Sequence, residues 1–340
     1  QAQQSDKAIE YLQKSVECYK KLKQDEENDM ADVYMSLGRI FDAKGDFDKA
    51  LEYYTKTLKI KEKCFGALNS ELVNVHNTIA LGFRLRGFYD KSLKHYESSL
   101  EILKSIKGER HPDIAKAYEN IALIYRSQQK YEDTIEQFNK ALEIWKSVSG
   151  NKQSEIGDIY HNIGLVYVTW GKRTEAMEYY KKAIEAYKVS FGDKHPSVLK
   201  CYNSIAFIYE GLEDFREALK YYLKAVDVNP KYKSEIDLAG THSIIASLYQ
   251  HLGQSEQVVE HHTKALEYKI KDLGSTHPTM ASYMYKLAVS LQKIKKYKEA
   301  FNYASDAYAI QKKHLGEENQ STKATNNLLT ELFQFVKQDY

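Results

Sequence analysis

Apolar and small side chains recur along the chain at the spacing of an amphipathic helix. From Leu37 to Thr57 they fall at positions i, i+3, i+4 and i+7, and one interruption occurs around Gly45. Glycine is typical of such an interruption, because it adopts the left-handed backbone conformation without a Cβ clash. The pattern therefore predicts two helices joined by a tight turn, which is a helical hairpin.

The hairpin pattern repeats at a fixed interval. Equivalent positions are spaced 42 residues apart, with one interval of 40, at Ala8, Ala50, Ser92, Thr134, Ala176, Ala218, Val258 and Ala300. Each hairpin of such an array can bury its apolar face only against its neighbours, so we expect one elongated all-α domain over residues 1–340. The predicted repeats span residues 31–65, 72–107, 114–149, 156–191, 198–229, 238–273 and 280–315, with a half repeat at 6–23 and a capping helix at 321–338.

Small residues and glycines mark how each hairpin packs. A small residue follows an apolar one in every first helix, where it lets the second helix approach closely. These residues are Gly38, Ala80, Ala122, Gly164, Ala206, Ala246 and Ala288. Glycine marks the turn at Gly45, Gly87, Gly171 and Gly253.

The order of apolar, small and aromatic residues in each unit resembles the tetratricopeptide repeat, whose usual period is about 34 residues. The longer step and the Gly-x-x-His-Pro linkers at 108–112, 192–196 and 274–278 resemble the kinesin-light-chain type of that repeat. The resemblance implies a right-handed α-solenoid of tetratricopeptide-type helical hairpins. Other linkers keep only the glycine, and Asn229-Pro230 predicts an early helix end with a change of curvature near residues 229–237.

The composition excludes several classes of function. Lys and Arg number 49 against 47 Asp and Glu, a net charge of +2, so no nucleic-acid partner is predicted. No apolar run approaches the roughly 20 residues of a membrane span, so no membrane insertion is predicted. Cys18, Cys64 and Cys201 lack paired spacing and indicate reduced thiols of a cytoplasmic compartment. Because the chain opens within a repeat, we expect it to be a fragment of a longer protein.

The sequence shows no motif for catalysis. It has no phosphate-binding loop, nucleophile elbow or Cys/His metal spacing, which predicts a non-enzymatic protein without cofactor or metal. The adjacent His261 and His262 point in different directions on a helix, and we expect them to pack in the core. Trp145 and Trp170 are also expected to pack within the repeats. The linker histidines are expected to set linker geometry, with the prolines after them in the first turn of the next helix.

Positions that the repeat does not need for packing are the candidates for binding. In a stacked array the first helices line a concave groove, and the side chain one position after each small residue faces it. These positions form an apolar stripe through Leu81, Leu123, Leu165 and Phe207, with Arg39 at its start. The stripe predicts a peptide-binding groove.

Asparagines flank this stripe at Asn77, Asn120, Asn162 and Asn203, with His161 beside them. Asn costs about 0.5 kcal/mol relative to Ala inside a helix, because its amide competes with the backbone. A groove amide can pair with the backbone of an extended peptide, or it can bond to a neighbouring helix or to water. In the kinesin-light-chain type such asparagines hold peptide backbone, and the resemblance implies the same role here.

Charge along the predicted groove is uneven. Basic residues lie on the first three complete repeats, at Arg39, Arg84, Lys116 and Arg126. Acidic residues follow in the later repeats, at Asp158, Glu210 and Asp214. Since the planar guanidinium of arginine can pair with a carboxylate through two bonds, an acidic peptide is favoured in the N-terminal half. Asp32, Asp42 and Glu119 on the same helices make this charge mixed.

The sequence thus favours an adaptor that binds short linear motifs or helices of protein partners in its groove. The resemblance extends the expected partners to a microtubule-motor or ciliary complex, in a cytoplasmic, cytoskeletal or ciliary location. Two alternatives stay open. One is a fixed component of a cytoskeletal or ciliary assembly held through its convex faces. The other is a regulatory arm of a larger enzyme, whose catalytic domain precedes Gln1.

Overall fold

All regular secondary structure in the described part of the chain is α-helical. The computed structural model describes residues 2–21, 27–148, 150, 152–227 and 237–338. These ranges contain sixteen α-helices and no strand, which confirms the predicted all-α class. The change of curvature predicted near residues 229–237 lies, except for residue 237, outside the described residues.

The helices follow one another in pairs separated by short turns. The first helix, α1 (Ala2–Lys21), stands before the pairs. The pairs are α2 (Glu27–Ala43) and α3 (Phe47–Phe65), α4 (Ser70–Leu85) and α5 (Tyr89–Lys107), α6 (Pro112–Ser127) and α7 (Tyr131–Ser147), α8 (Gln153–Thr169) and α9 (Arg173–Phe191), α10 (Pro196–Glu210) and α11 (Phe215–Ala225), α12 (Leu238–His251) and α13 (Ser255–Leu273), and α14 (Met280–Lys293) and α15 (Tyr297–Leu315). A last helix, α16 (Gln320–Gln338), follows them.

The chain divides into two compact units, Gln1–Ala176 and Met177–Tyr340. In the first unit, Leu37, Tyr54 and Ile79 are buried together in a core to which α1 also contributes. In the second unit, Leu287 lies in a core built from α13 to α16. Each core is formed by the apolar faces of successive helices, as the repeat pattern predicts.

Helix α16 covers the end of the second core with a different set of side chains from the predicted one. In the sequence, the capping helix repeats the first-helix pattern through Leu329 and Phe333. Instead Leu328 and Leu332 are buried, Leu329 is only partly buried, and Phe333 is 47% exposed. The reason is that α16 packs on α15 and α14 along one stripe, whereas the first helices between two hairpins bury a wider face.

The small residues of the first helices are all buried, as predicted. At Gly38 the approach is so close that an added Cβ would lie 2.4 Å from Cε1 of Tyr54 on α3. Gly82, which the sequence did not single out, has the same relation to Phe47, at 2.3 Å from Cε2. Both distances are well below the closest approach of two nonbonded carbon atoms, so only glycine fits at these positions.

The predicted turn glycines have positive φ angles, between 74° at Gly253 and 82° at Gly45. Three other hairpins make the same turn without glycine. Gln129, Glu213 and Lys295 have φ angles of 59°, 60° and 62° at the equivalent positions. The turn is therefore set by the packing of the two helices, and glycine only removes its local strain.

The linker histidines act as helix caps. The Nδ1 atoms of His111 and His195 accept hydrogen bonds from the backbone N–H groups two residues later, at 3.1 and 3.2 Å, and the following prolines occupy the first turn as expected. The third linker differs. His277 lies 3.3 Å from the Thr279 N–H, but α14 begins only at Met280, so Pro278 lies outside the helix.

The remaining histidine and tryptophan predictions agree with the structure. His261 and His262 are buried, and His262 bonds to the Ser290 hydroxyl at 2.8 Å. Trp145 is buried, whereas Trp170 is half-buried and stacks on neighbouring tyrosines at the end of α8.

Candidate functional site

The apolar stripe on the first helices of residues 1–176 is accessible. Leu81 on α4 is 41% exposed, and Leu123 on α6 and Leu165 on α8 are half-buried. The small residue just before each of them is buried against the second helix. The repeat therefore uses one position for packing and leaves the next one open to a ligand.

Arg84 and Arg126 lie beside this stripe, at equivalent positions of α4 and α6. Both side chains are half-buried. Burial, and then the positive charge of Arg84, lower the pKa of the Arg126 guanidinium, so the two charges are near enough to repel each other. Arg84 also lies against the Tyr96 hydroxyl, whose pKa burial raises. Among the described residues neither guanidinium forms an ion pair, so the two arginines bring together uncompensated positive charge.

The acidic residues that made the predicted charge mixed are engaged elsewhere. Asp42 accepts a hydrogen bond from Arg86 at 3.0 Å, and the Arg86 guanidinium stacks 3.9 Å from the Phe47 ring centroid. Asp32 pairs with the buried Lys61 at 2.8 Å. Sequence analysis missed Arg86 and Lys61, because both pairings join residues far apart in the chain. The acidic charges of Asp32 and Asp42 on α2 are consequently paired.

Glu119 is also withdrawn from the site. Its Oε1 accepts a hydrogen bond from Nε1 of Trp145 at 2.9 Å. Burial raises the pKa of the Glu119 carboxyl. The bond to Trp145 lowers this pKa, and the negative charge of Asp158 raises it further. Lys116 on the same helix is exposed and lowers that pKa. Arg39 on α2 is exposed as well. The predicted basic residues therefore include two exposed side chains, those of Arg39 and Lys116, and two half-buried arginines.

The asparagines are half-buried, and two of them show an unusual feature. The Oδ1 atoms of Asn77 and Asn203 are buried without a hydrogen-bond partner. A buried carbonyl oxygen that loses its hydrogen bond costs about 1–3 kcal/mol. A peptide N–H that donated to this oxygen would relieve that cost. Asn120 and Asn162 are half-buried too, as is His161 beside them.

Two of the predicted site residues belong to residues 177–340. Phe207 on α10 is 65% exposed, the most exposed member of the predicted stripe, and Asn203 lies one turn before it. Glu210 on the same helix accepts a hydrogen bond from the Tyr222 hydroxyl at 3.0 Å, and Asp214 caps α11. The later acidic residues thus have structural partners of their own.

The described residues contain no group of three or more His, Cys, Asp or Glu side chains able to hold a metal ion. Within the same ranges, no helix is long and apolar enough to cross a membrane. Cys18 and Cys64 are exposed thiols, and Cys201 is a buried thiol.

Comparison with known proteins identifies the repeat. A family profile described as Tetratricopeptide repeat matches residues 1–63, 71–147, 113–188, 158–231 and 237–313. No curated protein sequence matches the chain. The resemblance to the tetratricopeptide repeat, on which the predicted fold rested, is therefore confirmed.

Solved structures support the same fold. The chain is similar to BtubC (BKLC) from P. vanneervenii, with 20% identity and a TM-score of 0.52 over 65% of this chain and 89% of that one. It is similar to aspartyl phosphate phosphatase F from Bacillus subtilis, with 17% identity and a TM-score of 0.55 over 87% and 72%. A putative kinesin light chain from Podosopora anserina with nearly identical TPR-like repeats shows 15% identity and a TM-score of 0.50 over 60% and 95%. At these identities the likeness concerns the fold alone.

Proposed function

The chain belongs to the tetratricopeptide-repeat family, and we propose that it is a non-enzymatic adaptor whose first helices in residues 1–176 bind an extended acidic segment of a partner protein. The observation that carries this proposal is the pair of neighbouring arginines, Arg84 and Arg126, which are half-buried and have no ion-pair partner among the described residues. Holding two like charges together without a counter-ion is unfavourable, so a carboxylate ligand would stabilise the site.

The surroundings of the arginines supply the other contacts of an extended peptide. Leu81 and Leu123 offer apolar surface one turn before each arginine. Asn77 and Asn120 lie one further turn back, and amides of this kind can pair with peptide backbone. A short row of apolar, amide and guanidinium groups thus combines main-chain recognition with a preference for acidic side chains.

The experiment is a titration with a short peptide of alternating aspartate and proline, which cannot form a helix. Replacing Arg84 and Arg126 together with Ala should weaken binding by about 1.5–3 kcal/mol for each charge-assisted hydrogen bond lost, and less where the site stays wet. Added salt should weaken the native complex further.

The matched control replaces two exposed lysines of the second helices, Lys59 and Lys94, with Ala and removes the same charge. It should bind like the native chain. If the peptide binds the arginine variant and the native chain equally, the groove proposal is wrong. The alternative of a structural component held through the second helices then takes its place.

The wider setting of this adaptor stays a prediction from the sequence. A cytoplasmic location and a microtubule-motor or ciliary partner are proposals of that kind, as is a role as the regulatory arm of an enzyme. Capture of a partner whose binding needs Arg84 and Arg126 would support the adaptor over the other two roles.

A further inference from the structure

Three aromatic side chains meet at the end of α8, and each of them is only half-buried. The ring centroid of Trp170 lies 5.5 Å from that of Tyr131, with 24° between the planes, and 6.0 Å from that of Tyr167, with 7°. The Tyr131 hydroxyl donates to the carbonyl of Thr169 at 3.4 Å, which holds the Tyr131 ring in place. Tyr131, Tyr167 and Trp170 together are called the aromatic surface below.

The repeat does not require a tryptophan at this place. The residues equivalent to Trp170 in the other hairpins are Lys44, Arg86, Gln128, Leu212, Leu252 and Ile294. Three of them are polar and three are aliphatic. Since six hairpins form the same turn without an aromatic ring before it, the indole of Trp170 is a feature of this site and not of the fold.

A cation already lies on the aromatic surface. The Lys172 ammonium is 3.4 Å from the centroid of the Trp170 ring. Among the described residues this ammonium forms no ion pair. The face of an aromatic ring attracts a cation, and indole attracts it more strongly than the rings of Tyr and Phe do. The position of Lys172 therefore indicates the chemistry that the surface accepts.

The turn fixes the backbone of Lys172 but not its side chain. Its backbone N–H donates to the carbonyl of Tyr167 at 2.9 Å, and Lys130 makes the equivalent bond to Tyr125, also at 2.9 Å. The Lys130 ammonium nevertheless stays 5.7 Å from the centroid of the Tyr125 ring. Of two lysines in the same backbone position, only the one beside Trp170 makes a close ring contact. The indole, rather than the turn, thus accounts for that contact.

The chain stacks a guanidinium at the corresponding place of an earlier hairpin. Arg86 is equivalent to Trp170, and Phe47 is equivalent to Tyr131. The Arg86 guanidinium lies 3.9 Å from the centroid of the Phe47 ring. The aromatic residue that begins the second helix can therefore take a guanidinium on its face within this architecture.

Shape and charge both favour a guanidinium at the aromatic surface. The rings of Tyr131 and Tyr167 are nearly parallel to that of Trp170, so the three do not enclose a round cation, whereas a planar guanidinium can stack on such rings. Glu132 and Asp133 follow Tyr131 in the first turn of α7, are exposed, and form no ion pair among the described residues. A carboxylate can pair with a guanidinium through two bonds.

We propose that the aromatic surface binds an arginine side chain of a partner protein, which displaces the Lys172 ammonium and stacks its guanidinium on Trp170. No ion pair within the described part of the chain holds the Lys172 side chain, so it can move into solvent. Arg173 beside it is exposed and opposes a further cation, but Glu132 and Asp133 favour one. The inference uses neither Arg84 nor Arg126 and does not rest on the proposed function.

The test uses the full chain and a fluorescently labelled peptide with one arginine among glycines and serines, followed by anisotropy. Two matched peptides carry citrulline, which has the shape without the charge, or trimethyllysine, which has the charge without the planar group. The native chain should bind the arginine peptide about tenfold more tightly than the citrulline peptide and more tightly than the trimethyllysine peptide.

Two variants of the site should change this binding in opposite directions. W170L introduces the residue that the chain uses at Leu212 and Leu252, and it should bind the arginine peptide about tenfold more weakly. K172A removes the competing ammonium and should bind about threefold more tightly. The matched control K296A removes the equivalent lysine of the last hairpin, and it should bind like the native chain.

The opposite results overturn the inference. They are equal binding of the arginine peptide to W170L and the native chain, equal binding of the citrulline and arginine peptides, or unchanged binding to K172A. Tighter binding of the trimethyllysine peptide would overturn the assignment to arginine. If R84A/R126A and the native chain bind the aspartate-proline peptide equally while the arginine peptide behaves as expected, only the proposed function is wrong. Should W170L unfold, Tyr131→Ser, which copies Ser255, repeats the comparison.

Discussion

The Nδ1 atoms of His76 and His95 lie 3.0 Å apart, one on each helix of a single hairpin. The same contact recurs four hairpins later between His242 and His261, at 2.9 Å. In such a contact one ring nitrogen must donate and the other must accept, so two fully protonated rings cannot keep it. Two other hairpins place tilted tyrosine rings at these positions, with ring centroids 5.8 Å apart for Tyr34–Tyr53 and 6.1 Å for Tyr202–Tyr221.

These histidine pairs predict that the protein loses stability in acid. Burial, then the charge of His261, lower the pKa of His242 to about 4, from 6.5 in the unfolded chain. The folded state therefore binds fewer protons, so stability is complete above pH 6.5 and falls as the pH is lowered towards 4. The upper limit of the loss from His242 is about 3 kcal/mol.

The measurement is the free energy of unfolding between pH 7 and 4, compared with the variant H242Y/H261Y. This variant copies the tyrosine pair of other hairpins and removes the titrating groups. It should lose less unfolding free energy between pH 7 and 4 than the native chain does. The loss that remains comes from groups such as His262, whose pKa is lowered to about 4 by burial. Parallel pH profiles for the native chain and the variant would contradict the role assigned to the pair.

A methyl group at Gly38 should destabilise the first hairpin. The added Cβ would lie 2.4 Å from Cε1 of the buried Tyr54 ring, which cannot move away without disturbing the core. We expect Gly38→Ala to cost about 1–3 kcal/mol, the usual range for overpacking. The matched control is Gly211→Ala, where the nearest atoms are 3.6 Å away. Thermal melts should separate the two variants, and equal melting temperatures would show that the ring can yield.

Replacing the left-handed turn residues with glycine should stabilise the protein. Gln129, Glu213 and Lys295 hold φ angles near 60°, which costs an L-residue about 1–2 kcal/mol relative to glycine. Each change to Gly should therefore raise the midpoint of urea unfolding. The gain is reduced because glycine also increases the entropy of the unfolded chain. The reverse change, Gly87→Gln at the equivalent turn, should lower it by a similar amount. A decrease for all three glycine variants would mean that their side chains contribute more than the backbone strain costs.

The buried Lys61 tests whether charge or packing matters more in the first unit. Its side chain is 4% exposed and bonds to Asp32 at 2.8 Å and Glu71 at 3.0 Å. Burial by itself would lower the pKa of the Lys61 ammonium, but these two bonds outweigh it and the pKa is raised. Because the Asp32 and Glu71 side chains are 63% and 53% exposed, water can replace their partner. We expect Lys61→Met to change the unfolding free energy by less than about 1 kcal/mol.

Truncation at the same position should cost more. Lys61→Ala removes the apolar stem and leaves a cavity between α3 and its neighbours, which predicts a loss of about 2 kcal/mol or more. Urea denaturation of the two variants at pH 7 makes the comparison. An equally large loss for both variants would show that the ion pairs, rather than the packing of the stem, hold this site together.

Several parts of the fold and the candidate site could be predicted from local spacing alone. The interval of 42 residues predicts the hairpins, and the small residue of each first helix predicts the close contact that Gly38 makes with Tyr54. The stripe of Leu81, Leu123 and Leu165 follows from the same register. Helical periodicity reports which face of a helix a residue occupies, so buried and open positions can be separated without tertiary coordinates.

Comparison between repeats distinguishes Leu85, at the end of α4, and Phe88, in the turn after it. Their large apolar side chains stand where other hairpins have small, polar or charged residues, and this contrast is visible in the sequence. The exposure of the two side chains in the structure made the departure evident.

The sequence by itself determined the helices, their turns and the side chains open to a ligand, because these depend on spacing within one or two turns of the chain. Only the tertiary structure decided which charges remain unpaired. Asp42 pairs with Arg86 of the next hairpin, and Asp32 on α2 pairs with Lys61 on α3, so these two acidic charges are neutralised. Arg84 and Arg126 lack such partners among the described residues. Ion pairing depends on the distance between the charged ends of long side chains from different helices. The packing of those helices sets that distance.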